Sequence, residues 1–195
     1  MQKSTKFVRI ASCAGILSTL TAPAQAADAH VHGVATLQVA LDGNRLNVDF
    51  SSPLDNLVGF EHAPRTDKQK AAVRQMAERL NAPELWFVPN AEAECKRTSV
   101  NLESAVLDRA LLSGAERKSS MGKPDARKDT KSQAGEHSAL SADIVFICDR
   151  PRALSGLELK LFDAFPKLKR IDAQVAVTNK QRAAKLTPRA RHLAF

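Results

Sequence analysis

The chain has 195 residues, a formal net charge of +8, 44% hydrophobic and 26% charged residues, which suits one domain with a modest core. It contains no Tyr and one Trp, so its basic excess lacks the base-stacking aromatics of a nucleic-acid binder, and nucleic acid is excluded as a partner.

The first 26 residues, MQKSTKFVRIASCAGILSTLTAPAQA, place Lys3, Lys6 and Arg9 before an apolar stretch that ends in Ala24-Gln25-Ala26. This is the layout of a secretory signal with an A-x-A cleavage site. The apolar stretch from Ile10 to about Leu20 is too short for a bilayer span, which needs ~20 residues, so no stable membrane insertion is expected after cleavage. Cys13 leaves with the signal. Loss of the three cations lowers the net charge from +8 to +5, and residues 27–195 form the single expected domain.

In VATLQVAL, Val34 to Leu41, the residues Leu37, Val39 and Leu41 share one side of an extended strand. In RLNVDF, Leu46, Val48 and Phe50 alternate with Arg45, Asn47 and Asp49. Asp42-Gly43-Asn44 lies between them, and Gly43 can take the positive φ of a tight turn, which predicts a β-hairpin. After Pro64 the period changes. Thr66 and Gln69 have the spacing of a capping box, and Ala72, Val73, Met76, Ala77 and Leu80 follow at helical spacing. A helix over about 67–80 is predicted, with Lys68, Lys70, Arg74 and Arg79 on its solvated face.

Further strands are predicted at Leu85–Val88, around Cys95–Leu102, and at Asp143–Cys148, where four apolar residues in a row suit a central strand. Leu157, Leu159 and Leu161 alternate, as do Ile171, Ala173, Val175 and Val177; Asn179 marks a turn before a last strand near Ala183–Thr187. Between Ser113 and Gln133 six basic and three acidic residues offer almost nothing to bury, which predicts a mobile loop at about 113–137. The fold class is therefore α+β and β-rich, with antiparallel sheet, one packed helix and a long loop.

Two cysteines remain after processing. Cys95 and Cys148 in an oxidising compartment read as a disulfide between strands distant in sequence; a thiolate metal site is the competing reading and needs further ligands. His30-Val31-His32 is the most informative histidine pair, because alternate residues of an extended chain point the same way, about 6.6 Å apart at ~3.3 Å per residue. Zinc needs four donors, or three and a water, so Glu61, His62 or His137 has to join them. Solvated imidazoles at a frayed terminus are the alternative for His30 and His32. For His62 the alternative is a brace for the turn at Ala63-Pro64. Cleavage after Ala27 would begin the chain Asp28-Ala29-His30, a terminus suited to Cu(II) or Ni(II).

No H-E-x-x-H, G-x-S-x-G, P-loop or C-x-x-C pattern occurs. Glu61 beside His62 makes no acid/base pair, since adjacent strand residues point apart and no nucleophile is marked. A non-catalytic protein is expected.

HVHGVATLQVALDGNRLNVDFSSPLDNLVGFEHAPRTDKQKAAV, the Cys95 segment, ADIVFICDRP, LFDAFPKLKRIDAQV and AAKLTP together resemble the ZrgA family of zinc-regulated bacterial periplasmic proteins. The resemblance spans His30 to Pro188 and is densest in SPLDNLVGFEHAP. It implies a periplasmic protein that binds zinc and assists a high-affinity importer, with that importer's solute-binding subunit as partner. It also implies metal donors in HxHG, matched here by His30, His32 and Gly33, and in a histidine-rich mid-chain loop. This chain has Lys, Arg, Asp and Ser in that loop, with His137 the one histidine nearby, so at most one tight zinc per chain is expected. The second expectation is a periplasmic interaction module that has lost useful metal affinity.

Overall fold

The computed structural model describes residues 31–113, 138–177 and 180–195. The signal segment, His30, the loop at about 113–137 apart from Ser113, His137 and the turn at Asn179 lie outside the described residues.

The hairpin forms as its alternation requires. Strands β1 (Val34–Asp42) and β2 (Arg45–Pro53) pair antiparallel with Asp42 opposite Arg45. Gly43, at φ +59°, occupies the first central position of the turn, the requirement of a type II′ connection. A short helix α1 (Leu54–Val58) follows directly and is stopped by Gly59 at φ +88°, a left-handed conformation in which a Cβ is strained. Helix α2 (Asp67–Leu80) starts with the full capping box, in which Thr66 accepts from the Gln69 amide and the Gln69 side chain accepts from the Thr66 amide. Val73, Met76, Ala77 and Leu80 form its buried stripe.

Strand β3 (Phe87–Pro89) begins later than Leu85, because Pro83–Leu85 winds into a 3₁₀ turn and leaves the Leu85 side chain exposed. Then come β4 (Cys95–Glu103), α3 (Arg109–Leu112), β5 (Ala139–Cys148), β6 (Gly156–Leu159), α4 (Leu161–Ala164), β7 (Arg170–Val177), β8 (Lys180–Leu186) and β9 (His192–Ala194). Leu161 continues the alternation of Leu157 and Leu159 in sequence but opens α4, because the strand has ended before Lys160. It is buried from the helix instead.

Two sheets result, a six-stranded one in the order β4-β5-β2-β1-β7-β8 and a three-stranded one in the order β3-β6-β9. Pairing is antiparallel except between β1 and β7, which run parallel with Val34 opposite Arg170 and Leu41 opposite Val177. One face of the large sheet supplies Leu37, Val48, Phe50, Ile144, Phe146 and Val175 to a single core that includes the α2 stripe and Leu157, Leu159 and Leu193 of the small sheet. Phe50 meets Phe87 edge-on at 5.8 Å and joins the two sheets. Burial of each such side chain contributes about 1.5–3 kcal/mol. Cys95 and Cys148 face each other across β4 and β5 and form a disulfide, so neither is a free thiolate donor. Among the described residues, no helix is long and apolar enough to cross a membrane.

Candidate metal centre

The parallel contact of β7 with β1 brings the start of β1 under the segment that precedes β7. There the chain makes a tight turn, with the Val34 amide donating to the Val31 carbonyl at 3.1 Å and Gly33 at φ +83° in its third position. That is the geometry of a type II turn, which requires Gly or Asn where φ is positive. His32 sits at the corner.

The turn is held from both sides. The Gly33 amide donates to Asn56 Oδ1 at 2.6 Å, and Asn56 Nδ2 donates to the Val34 carbonyl at 3.0 Å and to Ser52 Oγ at 3.1 Å. Asn56 is only 2% exposed, so these bonds satisfy a polar group that would otherwise be buried at a cost. On the other side, the amides of Lys169 and Arg170 donate to the Gly33 carbonyl at 2.7 and 2.9 Å.

Helix α1 carries Asp55 beside Asn56, and its stop at Gly59 redirects the chain through Phe60 into Glu61. Asp55 and Glu61 thereby meet the same imidazole. His32 Nε2 lies 3.3 Å from Glu61 Oε1, and His32 Nδ1 lies 3.8 Å from Asp55 Oδ2. The His32 side chain is 66% exposed, whereas those of Glu61 and Asp55 are 35% and 21% exposed. The approach of Nε2 lacks the direction of a hydrogen bond, and Glu61 Oε1 is a buried oxygen without a donor. Asp55 Oδ1 is taken by Lys167 Nζ at 2.8 Å.

The remaining candidates are placed differently. His62 stacks on Phe60 at 5.1 Å between ring centroids, and its Nδ1 lies 2.8 Å from the Ala63 carbonyl, where a protonated Nδ1 donates. It faces the turn before Pro64 and is not among the groups that meet His32. His30 and His137 lie outside the described residues. Asp55 is a participant that sequence reasoning missed; its one signal was a carboxylate inside SPLDNLVGFEHAP.

The donor types fit zinc, which takes imidazole nitrogen and carboxylate oxygen at ~2.0–2.2 Å. Two donors of one tetrahedral ion at such bond lengths stand about 3.3–3.5 Å apart, and the separation of Nε2 from Glu61 Oε1 is 3.3 Å. The orphaned carboxylate oxygen is what an ion would satisfy. A single imidazole cannot offer both nitrogens to one ion, so Asp55 on the Nδ1 side has the place of the carboxylate that orients a ligating histidine. Among the described residues, no group of three His, Cys, Asp or Glu side chains is arranged to hold a metal, so the described donors are two, with His30 two positions upstream.

A family model described as ZrgA family zinc uptake protein matches residues 29–195. No curated protein matches the chain.

Proposed function

From the premise that the chain belongs to the ZrgA family of zinc uptake proteins, we propose that it is a non-catalytic periplasmic accessory protein that binds zinc at His32 and Glu61. The observation that carries this reading is the 3.3 Å approach of His32 Nε2 to the buried, undonated Oε1 of Glu61. Asp55, 3.8 Å from Nδ1, would favour a proton on that nitrogen by its charge and leave Nε2 toward the ion. His30 is a third donor consistent with the spacing of the pair. Zinc here is cargo, and the protein's residues bind and orient it.

A signal segment at 1–26 agrees with export, and the exposure of His32 agrees with release to a second protein. The partner we propose is the solute-binding subunit of a zinc importer. Zinc titration of the exported chain against a competing chelator tests the reading: one zinc per chain is expected, with binding lost in Glu61→Gln. Several zinc ions of equal affinity, or an unaffected Glu61→Gln variant, would count against it.

A further inference from the structure

The ammonium of Lys167 is built into the same cluster. Its Nζ lies 2.8 Å from Asp55 Oδ1, while the other oxygen of that carboxylate faces His32 Nδ1 at 3.8 Å. Asp55 thus stands between a permanent cation and the imidazole. The lysine passes over the helix stop at Gly59, where an added Cβ would make only ordinary contact, 3.6 Å from Lys167 Nζ and 3.9 Å from its Cε. The backbone of the same segment also holds the His32 turn, through the Lys169 and Arg170 amides that donate to the Gly33 carbonyl.

Two consequences follow from charge. Asp55 and Glu61 alone would present two negative charges to a divalent ion, and Lys167 cancels one of them. Lys167 also occupies the Asp55 oxygen that could otherwise swing to the ion, leaving the carboxylate to orient His32. We infer that Lys167 is an affinity-limiting residue, which acts through Asp55 to keep the zinc site weak enough to give up its ion. This inference rests on the proposed zinc site at His32 and Glu61.

The test measures zinc dissociation constants of the full exported chain by chelator competition, at low and high salt, for wild type, Lys167→Met and Lys167→Arg. Lys167→Met should bind zinc roughly three- to tenfold more tightly, an advantage that shrinks with added salt because it is electrostatic. Lys167→Arg should retain the wild-type constant and salt response. In an Asp55→Asn background, Lys167→Met should change affinity by less than about twofold, since the coupled partner is gone. Equal or weaker binding by Lys167→Met, with His32→Ala still losing zinc, would overturn the role of Lys167 and leave the zinc site standing. Unchanged binding in His32→Ala would overturn both.

Discussion

The side-chain oxygen of Asn56 accepts the backbone amide of Gly33 at 2.6 Å, tying helix α1 to a turn 23 residues earlier. Through this bond a buried amide, with no metal-binding chemistry of its own, sets the position of His32. Asn56→Ala leaves the Gly33 amide and the Val34 carbonyl without that partner, a loss of about 1–3 kcal/mol for buried groups. A lower midpoint in urea unfolding and weaker zinc binding are expected together. A variant with wild-type zinc affinity would show that the turn does not need the clamp.

Gly33 itself should resist substitution. Its φ of +83° places any L side chain in a strained region, and an added Cβ would stand 3.2 Å from Lys169 Cγ. Gly33→Ala is expected to cost about 1–2 kcal/mol, whereas Gly43→Ala in the hairpin, also at positive φ but with nothing within 4 Å of an added Cβ, should cost less because no neighbour has to give way. Thermal melts of the two variants check the ranking.

Much of this frame could be read from the residues. The hairpin was legible because alternation and Gly43 agree, and α2 because Thr66 and Gln69 mark its start before a helical stripe. The parallel pairing of β1 with β7 was not legible, since nothing local in Val34–Asp42 specifies a partner so far along the chain. Leu161 misled because an alternating leucine reads alike in a strand and in the first turn of a helix beyond it. His32 and Glu61 stood out as residue types, but only the folded chain brings them to 3.3 Å. Asp55, Asn56 and Lys167 carry no spacing signature, and their roles come from tertiary approach alone.

The outer face of the large sheet supplies a pH-dependent prediction. Asp49 and Asp143 are directly opposed across β2 and β5, and desolvation, with the Asp143 charge second, raises the Asp49 carboxyl above its ordinary value. A carboxyl that holds its proton more tightly when folded adds stability that is fully present below its unfolded pKa and lost as pH rises through the folded one. Asp49→Asn should therefore gain stability above that range, by roughly 0.2–1 kcal/mol after solvent screening, and flatten the acidic part of the profile. Urea unfolding of wild type and variant between about pH 3 and 7 reads this directly; an Asp49→Asn variant less stable at neutral pH would contradict it.

The disulfide should matter for stability and not for metal. Cys95 and Cys148 are separated by 53 positions, and opening a loop of that length costs about 4 kcal/mol in the chain-entropy model. The Cys95→Ala, Cys148→Ala double variant is expected to unfold at lower denaturant concentration while still binding one zinc wherever it remains folded. Loss of zinc by the folded double variant would instead implicate the sulfurs.

Whether His32 and Glu61 hold one ion between them is read by a double-mutant cycle on zinc affinity. His32→Ala, Glu61→Gln and the double variant should each weaken binding by more than about tenfold, with the double variant little worse than the weaker single one, since residues sharing one ion are not additive. Fully additive losses, or singles that bind zinc as wild type does, would contradict a shared site.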